Sequence, residues 1–315
     1  MTNAVIDMRF RSVLRRMAER GRIATYEGKV SPHLELAALM KVHDGQEAML
    51  FSDVDGFDNP VVGNLLCCRE NCEAAFDADY QGIRSLVSRA IASPREPEMV
   101  TSAPSQDVVL KTGFDIRRIL PALFHAPGDS GRFITAGIVI VRDLDTGVYN
   151  ASYHRLQLVE SDRTAVRLDF GRHLRAAFER ARDKGEKLPI AVCIGSDIAL
   201  HYTAATMGAQ MPESANELAV AGGLAGRSLQ FAQAISQDLI VPAEAEFILE
   251  GYMSPDEVFM GGRSGSFPVS RRLRNWRRSF RLRQSPIARI RSITRSTGMA
   301  ARRSCCGSMC SKSVW

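Results

Sequence analysis

Apolar and polar positions alternate along this chain in two different rhythms, and the change from one to the other marks its elements. From Met8 to Gly21 the apolar residues Val13, Leu14 and Met17 recur at helical spacing, and Gly21 is a natural stop. A strand pattern, Ile23 to Val30, leads through Ser31-Pro32 into a helix from Leu34 to Val42, and Ala48 to Phe51 reads as a second strand. Asp55-Gly56 and Asn59-Pro60 are turns, and Asn71 to Ala78 and Ile83 to Ile91 are helical. A proline-bearing connection, Ser93 to Thr112, leads to a short apolar segment, Phe114 to Phe124.

Beyond it the rhythm becomes mostly that of strands. Ile134 to Val141 is a continuous β-branched run suited to burial on both faces, and Asp143 to Gly147 supplies a turn. A second strand follows at once, and a third runs from Thr164 to Phe170. Leu174 to Arg182 is a helix, Leu188 to Ile194 a buried strand, Asp197 to Thr206 a helix, and a further helix starts at Glu217. Strands at Ile235 to Val241 and Glu246 to Tyr252 close the series. No dinucleotide-binding glycine fingerprint, Walker loop or nucleophile elbow interrupts it, which argues against those enzyme classes.

The second strand carries more hydrogen-bonding capacity than a core strand needs. Asn150, Ser152, His154 and Arg155 stand beside Tyr153 and Leu156, and Arg172 and His173 close the third strand. A hairpin set of this kind brings Asn150, Arg155 and His173 towards one wall of a pocket. An amide oxygen and an imidazole can ligate a divalent cation, and an arginine fork can hold a carboxylate. Each residue is equally compatible with an ordinary role: a turn Asn, a solvated Arg, a hydrogen-bonded His.

Gly131-Arg132-Phe133-Ile134-Thr135-Ala136-Gly137, Asn150 with Arg155 five residues on, and Gly171-Arg172-His173 together resemble the UbiD family of carboxy-lyases. Pro60-Val61-Val62-Gly63-Asn64-Leu65 upstream adds to the likeness, as do Glu217 to Leu224 and Val241 to Glu246 downstream. The resemblance covers about residues 8 to 260. It implies an α+β fold: a small α/β N-terminal region over 1–110 and a split β-barrel over 111–259 that holds flavin and metal. It further implies non-oxidative, reversible decarboxylation of an aromatic, heteroaromatic or α,β-unsaturated acid with prenylated FMN, a divalent metal such as Mn2+, and K+. By position, Asn150, His173 and Glu217 hold the metal and the flavin phosphate. Arg155 pairs the substrate carboxylate or one of the family's acids, beside the cofactor, and Ser152, Tyr153, Arg172, Met211 and Pro212 line the flavin. A flavin prenyltransferase supplies the cofactor, and members assemble as homo-oligomers.

Length and composition fit that frame. At 315 residues with 45% hydrophobic and 24% charged, the chain can bury a sizeable core. No stretch has the continuous apolar length of a membrane span, and no secretory leader is evident. The seven cysteines, in three of which (Cys67, Cys68 and Cys72) no second ligand pair stands at zinc-site spacing, fit free thiols in a reducing cytoplasm. The net charge of +6 conceals a division: residues 260–315 hold 14 Lys and Arg and no acid, so the body before them is acidic. Clustered arginine can suggest nucleic acid, but no aromatic or motif organises these residues, and no nucleic-acid partner is expected.

The family resemblance offers another origin for the basic tail. Members carry a segment like Met-Glu-Gly-Pro-Phe-Gly-Glu-Phe-Pro-Gly-Phe at this point. Deleting one base from its second codon yields a coding frame for Met260-Gly261-Gly262-Arg263-Ser264-Gly265-Ser266-Phe267-Pro268-Val269-Ser270. The sequence therefore reads as an out-of-frame, disordered tail over 260–315, with the family's C-terminal oligomerisation domain missing. Gly261 and Ser266 then stand where the family has two acids, one of which donates a proton to the decarboxylated carbon.

Overall fold

The computed structural model describes residues 5–168, 173–205, 216–260 and 284–295. The N-terminal region is built as its pattern dictates. Helix α1 (Phe10–Glu19) buries Phe10, Val13, Leu14 and Met17 along one stripe. A three-stranded sheet joins parallel β1 (Ile23–Val30) and β2 (Ala48–Val54) through α2 (Glu35–Val42), with β3 (Val61–Gly63) antiparallel to β2. Helices α3 (Arg69–Phe76) and α4 (Tyr80–Ala92) follow, the latter started by the Asp79 carboxylate, which accepts from Gly82 N at 2.7 Å.

The connection expected from Ser93 to Thr112 contains two strands, β4 (Glu98–Met99) and β5 (Val108–Leu110). Both pair with strands of the second half of the chain, so residues 98–110 pack with the core and not with the N-terminal region to which the sequence assigns them. After α5 (Ile116–Ile119) come β6 (Phe133–Ile134), β7 (Ile138–Arg142), β8 (Tyr149–Tyr153), β9 (Leu156–Leu158) and β10 (Arg163–Val166). Then follow α6 (His173–Asp183), β11 (Leu188–Ile194), α7 (Ile198–Ala205) and α8 (Glu217–Ala225). The last strands are β12 (Gln230–Gln233), β13 (Ile240–Pro242), β14 (Phe247–Met260) and β15 (Gln284–Arg295).

A nine-stranded sheet runs β6-β9-β10-β15-β14-β11-β7-β8, with β5 on β15, and a small sheet pairs β13, β12 and β4. The main sheet is curled, and chain length shows why. Thr135 to Gly137 alone join β6, at one end of the strand order, to β7 near the other. Three residues span at most about 14 Å, whereas six strand spacings of a flat sheet cover about 29 Å. His154 and Arg155 make the same short crossing between β8 and β9. The two ends therefore face each other across a seam that no strand pairing closes among the described residues: a split barrel. At that seam a Cβ on Gly137 would stand 2.8 Å from Val192 Cγ1 and 3.1 Å from Ile134 Cγ2, so only glycine fits.

Each face of the sheet has its own core. Val139, Val141, Ile190, Val192 and Leu249 pack against Leu174, Ala177, Phe178 and Ala181 of α6. Ile138, Ile140, Ala151, Ala191, Cys193 and Ile248 pack with α1, α7 and α8. Helix α8 lies so close to the end of α4 that a Cβ on Gly222 would meet Arg95 O at 2.4 Å.

Three expectations are corrected here. The run Ile134 to Val141, expected as one strand, is two: β6 ends at Ile134 and β7 starts at Ile138, because Thr135 to Gly137 carry the chain across the seam. Of the strand expected over Ile235 to Val241, Ile240 and Val241 are strand, in β13, whereas residues 235–239 belong to the loop between β12 and β13. A fully buried carboxylate, Glu250, takes its backbone donors, Ile235 N at 3.0 Å and Ser236 N at 2.6 Å, away from strand pairing. The expectation of a disordered basic tail does not describe residues 284–295. They form β15, registered between β14 and β10, with Ala288, Ile290, Ser292, Ile293 and Thr294 buried. Between Glu250–Ser292 and Gly251–Ile290 the register shifts by one residue, so Arg291 is the extra residue of a β-bulge.

Two buried titratable groups, Asp197 just before α7 and His201 within it, have opposite effects on stability. Burial raises Asp197 to about 6 from 3.8, and burial lowers His201 to about 4 from 6.5. Between these values the folded chain binds an extra proton at Asp197, which lowers stability as pH rises, and lacks one at His201, which raises it. Asp197→Asn keeps a side-chain oxygen for Ala199 N but removes the first contribution. Its melting temperature should therefore fall more steeply than the parent's as pH drops from 6 to 4; parallel pH profiles would refute this. Gly137→Ala should cost about 1–3 kcal/mol in urea unfolding.

Candidate functional site

Strand β8 is the free end of the sheet, and its five residues divide by alternation. Tyr149, Ala151 and Tyr153 pack into the core shared with α7 and α8. Asn150 and Ser152 stand opposite Val141 and Val139 in the ladder, and so share the α6 face. Ser152 Oγ donates to Asn150 Oδ1 at 3.1 Å and lies 3.0 Å from His154 Nε2, so the polar row continues past the strand's end.

Two helices from opposite sides of the sheet begin at this edge. His173 is the first residue of α6 and Glu217 the first of α8. Asn150 Nδ2 donates to Glu217 Oε1 at 2.8 Å and lies 3.3 Å from His173 Nδ1, and His173 Nδ1 is 3.7 Å from Glu217 Oε1. The second carboxylate oxygen, Oε2, accepts from Ala151 N at 3.3 Å. Asn216 caps α8 by accepting from Leu218 N at 3.0 Å. Burial raises the Glu217 pKa, partly offset by the Ala151 and Asn150 hydrogen bonds and by His173. An acid destabilised in its ionised form by burial is one that a cation favours. The converging helix starts, with their positive dipole ends, also favour an anion.

The sequence expected Asn150 and His173 on one wall, and the structure brings them together with Glu217 at one point. Arg155 lies in the crossing from β8 to β9 and near His125, whose pKa is lowered by burial and then by the Arg155 charge, against the pull of Asp129. Ser152 is on the site face. Tyr153 is not: its hydroxyl is hydrogen-bonded to His201 Nδ1 on the other face. Arg172, Met211 and Pro212, all expected to line the flavin, lie outside the described residues.

One pair escaped the sequence reading. The Asp143 carboxylate organises the β7–β8 turn, accepting from Asp145 N at 2.9 Å and Thr146 N at 3.0 Å, and also accepts from Arg180 Nε at 2.8 Å. Arg180 is seven residues from His173 and so on the same stripe of α6. The clamp therefore sets where α6, and with it His173, lies along the hairpin. An Asp opening a turn carries no sign in sequence of its distant arginine.

The chain belongs to the UbiD family. Residues 98–303 match the 3-octaprenyl-4-hydroxybenzoate carboxy-lyase Rift-related domain, and residues 14–90 match the N-terminal domain of the same carboxy-lyase. The first match runs through β15. The chain is 33% identical to the gallate decarboxylase of Lactiplantibacillus plantarum over 67% of its own length and 44% of that protein's. It is 32% identical to the anhydromevalonate phosphate decarboxylase of Methanothermobacter thermautotrophicus over 71% of its length and 51% of the other. It thus spans about half of the curated relatives it matches. Among solved structures it resembles the UbiD-class enzyme HmfF from Pelotomaculum thermopropionicum in complex with prFMN. That likeness has a TM-score of 0.83 at 30% identity and covers 92% of this chain and 65% of the other. No helix of the described residues is long and apolar enough to cross a membrane.

Asp143→Ala should destabilise the protein by about 2 kcal/mol in urea unfolding, because the turn loses its cap and Arg180 its partner. An unchanged midpoint would remove the clamp from this account.

Proposed function

We propose that this chain holds the cofactor-binding half of a non-oxidative decarboxylase for an aromatic, heteroaromatic or α,β-unsaturated acid. The observation that carries the reading is the meeting of Asn150, His173 and Glu217 at the edge of β8. Among the described residues no three His, Cys, Asp or Glu side chains are placed to hold a metal, so the site depends on the Asn150 amide. Its donor chemistry fits: amide oxygen, imidazole nitrogen and carboxylate oxygen suit a divalent ion such as Mn2+. The amide nitrogen and oxygen are exchangeable by a side-chain flip, which turns Oδ1 to the point where Nδ2 stands.

Prenylated FMN, when bound, supplies the electron sink for loss of carbon dioxide. Asn150, His173 and Glu217 would hold its phosphate through the metal, with K+ as a further counter-ion, and the starts of α6 and α8 add to the attraction. After the side-chain flip Ser152 Oγ would accept from Asn150 Nδ2 and hold the amide with Oδ1 towards the metal. Arg155, in the seam, would pair the substrate carboxylate and align it. Arg172, Met211 and Pro212 are proposed as flavin contacts on resemblance alone. A flavin prenyltransferase would supply the cofactor, and the cytoplasm is the proposed compartment.

Gly261 and Ser266, at the places of the family's two acids, favour a second reading: a relative that binds flavin with little or no catalysis. The test is to co-express the chain with a flavin prenyltransferase and follow Mn2+ binding, flavin absorbance and carbon dioxide release from a panel of acids. Binding with weak turnover is expected. Glu217→Gln should weaken Mn2+ binding at least about tenfold, and Gly261→Glu with Ser266→Glu should raise turnover. Wild-type-like turnover without the restored acids would overturn the impairment. Absence of both flavin and metal binding would overturn the reading itself.

A further inference from the structure

We infer that His201 is a positioning residue for this site, holding β8 by its far face so that Asn150 and Ser152 are correctly presented on the near one. The inference rests on the reading of Asn150, His173 and Glu217 as a cation site.

An edge strand has a partner on one side only, and among the described residues β8 is paired to β7 alone. What stands in for a second neighbour is a pair of tyrosines. Tyr149 OH accepts from Ile240 N at 3.3 Å, and the Tyr153 hydroxyl is hydrogen-bonded to His201 Nδ1 in α7. Asn150 and Ser152 are the alternate residues between those two anchors, on the opposite face. The backbone between them also makes the site directly, since Ala151 N donates to Glu217 Oε2. A shift of β8 relative to α7 therefore moves the amide, the hydroxyl and the Glu217 contact together.

The pair is an expensive way to fill a core. His201 is 8% exposed and lies 6.3 Å from the Phe10 ring, and its Nε2 is buried without a hydrogen-bond partner among the described residues. Whichever ring nitrogen carries the proton, Nε2 is then a buried donor or acceptor left unsatisfied, which is destabilising. A leucine at 201 would pack against Phe10 without that cost. What it could not do is fix the Tyr153 ring at one height on the helix. Tyr153 thereby acts through its hydroxyl on α7, away from the flavin side of the strand.

The test uses the full chain and four variants: His201→Leu, Tyr153→Phe, the double variant and His201→Gln, which can still bond the hydroxyl. Melting temperature, amide exchange over residues 149–153 and Mn2+ affinity by electron paramagnetic resonance are measured. His201→Leu should melt no lower than the parent, yet exchange the Ala151 amide about tenfold faster and bind Mn2+ about tenfold more weakly. Tyr153→Phe should weaken Mn2+ binding alike, the double variant no further, and His201→Gln should recover most of it. Unchanged Mn2+ affinity in His201→Leu overturns the inference, whether or not exchange quickens. If the parent binds no Mn2+, the functional reading fails separately. The Ala151 amide then decides: faster exchange supports the anchoring, and parent-like exchange overturns it.

Discussion

Everything at this site depends on one constraint, the strict alternation of a five-residue strand at the open end of a curled sheet. Strand β8 must give its Tyr149, Ala151 and Tyr153 side to a core and its Asn150 and Ser152 side to chemistry. A slip of one residue would exchange the two sets, sending an amide into the core and two tyrosines to the site. The register is held from three directions: by β7 through the ladder, by the Asp143–Arg180 clamp at the turn, and by the hydroxyls of the two tyrosines. Helices α6 and α8 can then approach from opposite faces and place His173 and Glu217 on the same amide.

The curling of the sheet makes this edge a site and not a margin. His154 and Arg155 must carry the chain across the seam in two residues, directly after the polar row of β8. The gap that strand pairing leaves open is the space a flat cofactor could enter. The UbiD matches over residues 14–90 and 98–303 cover both the N-terminal region and the curled sheet.

Much of this was legible in the chain. The amphipathic stripe of α1 and the polar excess of β8 are local signals and led to the right elements, whereas the β-branched run from Ile134 to Val141 gave no sign that Thr135 to Gly137 divide it between β6 and β7. What was missed involves distance. The loop from Ile235 reads as strand because its apolar residues give no sign that Glu250 takes its amides. The opposite faces of Ser152 and Tyr153 follow from period two, yet resemblance grouped both residues around the flavin. Strand β15 was hidden by composition: its arginines suggested a solvated tail, although the order Ala288, Ile290, Ile293 already carries a strand's apolar side with one bulge.

Strand β15 also bears on how such a chain can be made. It lies between β14 and β10, and its pairing of Arg289 with Arg163 joins residues far apart in sequence. During synthesis every other strand of the sheet leaves the ribosome first, so β10 and β14 must wait with open edges facing each other. Closing so long a loop is slow, and exposed edges invite pairing with other chains. The sheet is thus finished by insertion into its middle, and the polypeptide is most prone to aggregate just before its last described strand appears.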